Sequence, residues 1–391
     1  MIVVVGIGAD GMDGLAGGSR RELRNATVIY GSSRQLDLLD DTVTASRNPW
    51  PSPMMPGLQR LVDRRTGDIH VLASGDPLLH GVGGTLIRMF GADHVRVLPH
   101  VSSATLACAR LGWVAQDTEV ISVVSAPVHL AVRRGGRAVV LSRDGDTPGV
   151  LAQLLTETGR GATEFTVLEQ IGGPDERMRS ATADDWAAAP PADVDDLNVI
   201  AVRYLPDERI GQVLPDDLFR HDGQITKQLM RSVTLASLGP RPGELLWDVG
   251  SGAGSIAIEW CRSGNGCKAV AFESDPDRRG RILANARSFG VNLDVRGCAP
   301  AEFVGVDPDV VFVGGGLTNP GLMVACLDRL KPGGRLVANS VTVESEAVLL
   351  DWYGRIGGEL RRFQHYGGEP LGGFTAWRPQ LPITQWSVVV S

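Results

Sequence analysis

The chain has 391 residues, enough for two domains of ordinary size, and its 43% hydrophobic and 21% charged content excludes a disordered or fibrous protein. A net charge of −7 argues against a general nucleic-acid binder, and no apolar run reaches the roughly 18–20 residues that span a bilayer. Only Lys227, Lys268 and Lys331 are lysines, which nearly excludes Schiff-base chemistry, and 49 glycines are almost double the usual ~7%.

Through residue 205, short β-branched runs alternate with amphipathic stretches. Residues 3–5, 28–30, 69–73, 95–98, 120–124, 138–141 and 199–203 predict strands, and 85–90 and 104–111 predict helices. This reads as one α/β domain over 1–205. Its first strand runs into Val5-Gly6-Ile7-Gly8-Ala9-Asp10-Gly11, a Gly-x-Gly-x-x-Gly pattern. That pattern fails the context test for a dinucleotide site. Gly14, Gly17 and Gly18 interrupt the helix that should receive a pyrophosphate, and the next strand ends Tyr30-Gly31 with no acid for a ribose.

Residues 205–223, rich in acids with two prolines, predict a linker, and a second α/β pattern fills 206–391. Ile225, Leu229, Val233 and Ala236 predict a helix over 224–238, stopped at Gly239-Pro240. Strands are predicted at 245–249, 269–273, 293–296, 310–313 and 336–339, and helices at 255–262, 276–288, 320–330 and 344–353. The Gly- and Pro-broken tail from 359 predicts antiparallel strands closing a mostly parallel sheet. The strand ending Trp247-Asp248-Val249 enters Gly250-Ser251-Gly252-Ala253-Gly254 and then a helix. Such a loop brings backbone close to a ligand and presents helix N–H groups to it. Glu273, at the end of the next strand, can accept both hydroxyls of a ribose. A ribose acid without a pyrophosphate-length loop fits S-adenosylmethionine better than NAD.

On these residues the second half resembles the seven-stranded, Rossmann-like methyltransferases. The resemblance implies that Gly250, Ser251, Gly252, Ala253 and Gly254 hold the methionine part, Glu273 the ribose, and Cys298-Ala299 the adenine. The stretches Gly223-Gln224-Ile225-Thr226-Lys227, Val313-Gly314-Gly315-Gly316 and Asn339–Ser345 resemble the decarboxylating corrin methyltransferases of cobalamin synthesis. That likeness puts Thr226 against the cofactor and makes Gly315 and Asn339 candidates for substrate contact; Lys227 and Arg231, on the helix beside the cofactor, are candidates because such a substrate carries many carboxylates. The Gly triplet also disfavours the amino-group methylases, which carry an Asn/Asp-Pro-Pro-Tyr type motif there.

The first half resembles the tetrapyrrole methylase family through the Gly6–Gly11 loop, Ser74-Gly75-Asp76-Pro77 and Pro99-His100-Val101-Ser102-Ser103-Ala104. It departs from that family at His100, where Gly is usual. The resemblance implies a two-lobed fold whose cofactor touches Ala9, Asp76, Leu79, Ser103 and Ala104.

Together the two resemblances imply a bifunctional enzyme that uses S-adenosylmethionine to methylate two meso carbons of one corrinoid, C-5 by the first domain and C-15 by the second. They also imply removal of the ring C acetate carboxylate. The alternatives are a single activity beside a silent substrate-binding first domain, or a methyltransferase of another substrate class. An electron-rich tetrapyrrole supplies its own carbon nucleophile and, by conjugation, its own electron sink, so no catalytic nucleophile is required. The substrate's carboxylates call for arginines, and Arg133, Arg134 and Arg137 with Arg278, Arg279 and Arg281 are the local clusters. His80 and His221 receive no role. A cytoplasmic location follows from five cysteines lacking any Cys-x-x-Cys. Scattered histidines predict no metal site, and the corrin-methyltransferase resemblance implies a homo-oligomer.

Overall fold

The computed structural model describes residues 1–50, 57, 67–207 and 213–390, which divide into two compact units, Met1–Pro206 and Asp207–Ser391. Part of the predicted linker, 208–212, lies outside the described residues.

The first unit has two lobes, each built on a five-stranded sheet. The first sheet contains β1 (Ile2–Ile7), β2 (Val28–Gly31), β3 (Ser46–Pro49), β4 (Ile69–Ser74) and β5 (Val95–Leu98), all parallel, in the order β3-β2-β4-β1-β5. The unbroken apolar run of β1 reflects its place inside the sheet. Val3, Val5 and Ile7 enter the core on one face with Leu23 and Ile29, while Ile2 and Val4 pack on the other with Leu86. The second sheet contains β6 (Glu119–Ser122), β7 (Arg137–Leu141), β8 (Glu164–Glu169), β9 (Arg177–Thr182) and β10 (Asn198–Arg203) in the order β6-β7-β10-β8-β9. It is parallel only between β6 and β7. Strands β3, β8 and β9 escape the sequence reading. The helix Ser103–Leu111 starts one residue earlier than predicted, because the Ser102 hydroxyl caps it by accepting from the Thr105 N–H at 3.1 Å.

The second unit is a seven-stranded sheet of β11 (Leu245–Val249), β12 (Lys268–Phe272), β13 (Asp294–Arg296), β14 (Val310–Val313), β15 (Arg335–Ser340), β16 (Glu359–Phe363) and β19 (Ile383–Val389). The hairpin of β17 (Tyr366–Leu371) and β18 (Phe374–Pro379) stands apart as its own two-stranded sheet. The order is β13-β12-β11-β14-β15-β19-β16, parallel through β15 and then closed by antiparallel pairs, as the tail's composition predicts. Chain order reverses at β11, whose neighbours β12 and β14 leave in opposite directions. A crevice therefore opens beyond the carboxyl ends of these strands. Trp247 and Trp386 anchor the core on one face of the sheet, and Trp260 on the other.

One predicted element is corrected. The helix expected over 224–238 begins at Gln228 and runs to Leu238. Residues 224–227 stay extended because other groups take their backbone atoms. The Asp222 carboxylate accepts from the Gln224 N–H at 3.1 Å, and the Arg231 guanidinium donates to the Thr226 carbonyl. No helix among the described residues is long and apolar enough to cross a membrane.

Candidate active site

In the second unit the crevice is a cavity of about 800 Å³. Gly250 leaves β11 with φ +71°, a left-handed conformation, and a β-carbon there would sit 2.7 Å from the backbone N and Cα of Gly315. The two glycine motifs are thus one structural feature. The loop after β11 can reach its position only because it lies directly against the loop after β14. At Gly252 an added β-carbon would make only an ordinary contact, with the Gln224 carbonyl oxygen at 3.7 Å.

Glu273, just past β12 and only 6% exposed, is fixed by backbone donors. Its Oε2 accepts from the Gly252 N–H at 2.9 Å and its Oε1 from the Asp275 N–H at 3.0 Å. Behind the loop, the fully buried Asp248 accepts from the Ser251 hydroxyl at 2.6 Å and the Ala257 N–H at 3.2 Å. Burial pushes its carboxyl up to about 6 despite those two bonds, and the nearby Glu273 charge adds to the rise.

Thr226, Lys227, Gly250, Ser251, Gly252, Ala253, Glu273, Ala299, Gly315 and Asn339 all line this cavity. Two candidates do not. Gly254 lies behind the rim, where a β-carbon would meet Ile282 at 2.9 Å. Arg231 points into the protein with 0% exposure. It donates to the Leu214 and Thr226 carbonyls and to Asp216, faces Glu259 at 3.4 Å, and lies over the Phe219 ring. It holds the extended 224–227 rim in place rather than meeting substrate.

Of the arginine clusters, only Arg278 lines either of the two cavities described; it shares Asp222 with Arg281, at 2.9 and 2.8 Å. Arg279 donates to backbone carbonyls, and Arg133 is held by Glu119. The sequence reading misses Asn319, His365 and Gln380, which reach the cavity from the β14 loop and the C-terminal strands. None carries a spacing signal.

A rim of glycines and small residues, a fixed buried carboxylate and a pocket of this size suit a nucleoside-sized ligand.

The first unit holds a cavity of about 370 Å³ between its sheets, lined by Asp76, Leu79 and Ser103 together with Trp50, Arg143 and Asn198. Its three motifs meet at Gly6. A β-carbon there would lie 2.2 Å from the Gly75 carbonyl oxygen and 2.8 Å from the His100 N. Ala9 and Ala104 stand outside the lining. Ala9 lies against Gly173, and Ala104 packs into the core beside Val139 and Leu168. His100 is not among the residues with positive φ, so its backbone has no need of glycine. Its Nε2 faces the Asp10 carboxylate at 3.5 Å.

The family described as tetrapyrrole (corrin/porphyrin) methylases matches residues 1–187, and the precorrin methyltransferase domain family matches 217–390. The precorrin-6Y C(5,15)-methyltransferase [decarboxylating] of Mycobacterium tuberculosis is 66% identical over 389 residues, covering 99% of both chains. The protein of the same name from Sinorhizobium sp is 43% identical, covering 99% of this chain and 95% of its own. A probable cobalt-precorrin-6B C(15)-methyltransferase (decarboxylating) from Pyrobaculum calidifontis is 37% identical over 44% of this chain and 92% of its own. With one cavity in each unit and identity of this extent along its whole length, the chain belongs to the precorrin-6Y C(5,15)-methyltransferase (decarboxylating) family.

Proposed function

We propose that this protein methylates a precorrin-6Y-type corrinoid at two meso carbons with S-adenosylmethionine and removes the carboxylate of one acetate, within cobalamin biosynthesis. The first unit acts at C-5; the second acts at C-15 and decarboxylates the ring C acetate. The observation that carries this reading is the Gly250–Ala253 rim with Glu273 on the larger cavity. When bound, S-adenosylmethionine supplies an electrophilic methyl group. What remains for the protein is placement, and orienting two reactants for in-line transfer alone removes several kcal/mol of barrier.

Each group then has a task. Glu273 accepts from the ribose hydroxyls, and the helix Ser255–Ser263 turns its N-terminus toward the loop. Thr226 and Ala299 bound the nucleoside, while Lys227, Gly315 and Asn339 border the space left for the corrinoid. In the first unit Asp76, Leu79 and Ser103 hold the donor. Arg278 offers the charge that a substrate carboxylate needs.

Two methyl masses gained and one carbon dioxide released per precorrin-6Y, with two equivalents of S-adenosylhomocysteine formed, is the expected outcome. Because two methylations add about 28 mass units and decarboxylation removes about 44, the product should be about 16 units lighter than the substrate; recovery of substrate at unchanged mass with no carbon dioxide would overturn the reading. A single methyl would leave one unit as a silent substrate holder.

The reading includes a cytosolic homo-oligomer. All five cysteines are free thiols. The β17–β18 hairpin exposes Phe374 and Trp377 at 83% and 77%, a surface suited to a second copy of the chain. Sedimentation of Phe374→Ser/Trp377→Ser at a lower mass than the wild type is the corresponding check.

A further inference from the structure

Resting on the proposed reaction, one further role follows from its proton balance. Converting a meso C–H into C–CH3 forms a carbon–carbon bond to the donor's methyl, breaks the donor's sulfur–methyl bond with the electron pair left on S-adenosylhomocysteine, and releases one proton. Converting CH2–COO⁻ into CH3 breaks the bond to the carboxylate carbon. The electron pair passes into the macrocycle as carbon dioxide leaves, and the exocyclic carbon takes up one proton. Neither step changes the oxidation level of the pair as a whole, and the two protons cancel. A single group in the cavity that can both accept and give a proton therefore serves both steps.

The ionisable side chains on the cavity wall are Lys227, Glu273, Arg278, Cys298 and His365. Arginine does not release its proton at any working pH. Glu273 is held by two backbone N–H groups on the ribose side. Lys227 is a largely exposed ammonium 4.0 Å from Asp216, with no lone pair to accept a proton. The Cys298 thiol is exposed and turned to the Ala299 carbonyl.

Imidazole is the side chain that both takes and gives protons between about pH 5 and 8. His365 sits in the turn between β16 and β17, half-buried, with its carbonyl anchored by the Gln380 N–H at 2.9 Å. Its ring nitrogens have no hydrogen-bond partner among the described residues, so the backbone is fixed while the imidazole stays free to work. We propose that His365 is the proton-transfer residue of the second unit, accepting the meso proton and delivering one to the exocyclic carbon freed by decarboxylation.

The test uses the full chain with His365→Ala and His365→Gln, precorrin-6Y and S-adenosylmethionine. Carbon dioxide release is followed, and donor affinity is measured by calorimetry. Both variants are expected to bind the donor as the wild type does and to release carbon dioxide about 10²–10⁴-fold more slowly, the usual contribution of a positioned acid–base group. Added imidazole should restore a substantial part of the rate in His365→Ala, which a merely structural role would not allow. Wild-type rates in either variant would overturn the proposal, as would a loss that imidazole leaves unrestored while donor affinity is intact. A wild-type protein that binds the donor yet neither methylates nor decarboxylates would instead overturn the underlying reaction.

Discussion

The contact between Gly250 and Gly315 makes an asymmetric prediction. Alanine at 250 must adopt φ +71°, costing about 1–2 kcal/mol for an L-residue in that region. Its β-carbon would also press on the Gly315 backbone at 2.7 Å, and overpacking of this kind costs about 1–3 kcal/mol more. The total is about 2–5 kcal/mol. Alanine at 315 has its nearest neighbour, the Gly250 Cα, at 3.6 Å, and its φ is not in the left-handed region. That substitution should be neutral within about 0.5 kcal/mol or stabilise slightly through the unfolded chain.

At about 2–4 °C per kcal/mol for a unit of this size, Gly250→Ala should lower the melting temperature of the second unit by about 4–20 °C. It should weaken S-adenosylmethionine binding there as well. Gly315→Ala should melt within about 2 °C of the wild type. Calorimetric unfolding and titration of both variants decide the matter. Equal destabilisation by the two, or a Gly250→Ala protein that melts like the wild type, would refute the argument that backbone-to-backbone contact sets the position of this loop.

Other predictions concern separate groups. Asp248 titrates near 6 when folded and near 3.9 when unfolded, so between those values the folded state binds more protons. Stability should therefore fall by roughly 3 kcal/mol as pH rises from about 4 to about 6. The melting temperature of Asp248→Asn relative to wild type should climb across that window, and a pH-independent difference would rule the effect out. Arg231→Met removes the buried cation that Asp216 and Glu259 share, leaving Glu259 to the Arg262 cation at 2.9 Å, and costs about 3–5 kcal/mol. Thermal unfolding should show the second unit melting about 6–20 °C lower, with Arg231→Lys recovering only part because an ammonium cannot fork to several acceptors. Gly6→Ala drives a β-carbon into the Gly75 carbonyl at 2.2 Å. Titration of that variant with S-adenosylmethionine should show one site where the wild type shows two.

Much of this was legible because burial and glycine write strong patterns. The run through β11 into Gly250 and the apolar stretch of β1 stand between packed layers, so composition alone marks them. Strands β3 and β9 do not. Ser46–Pro49 and Arg177–Thr182 are edge strands with polar side chains on both faces, and only pairing to their neighbours makes them strands. The same limit applies to the site. Arg231 falls at helical spacing near the cavity, but its inward direction is decided by Asp216 and Glu259, which tertiary folding brings to it. His365 belongs to no motif and reaches the cavity only because β19 returns between β15 and β16, carrying the hairpin's base to the crevice.

The doubly anchored carboxylate of Glu273 bears on how fast the donor is captured. A free glutamate side chain gives up about 1.5–2 kcal/mol of rotamer freedom when it is immobilised. Here that loss occurs during folding, because the Gly252 and Asp275 amides already hold the group in one orientation. In the role proposed for Glu273, an arriving nucleoside meets a finished docking surface and no searching side chain. Association should run at the rate at which the ligand enters, and residence time, set by the contacts it makes, should govern how variants of this pocket differ in affinity.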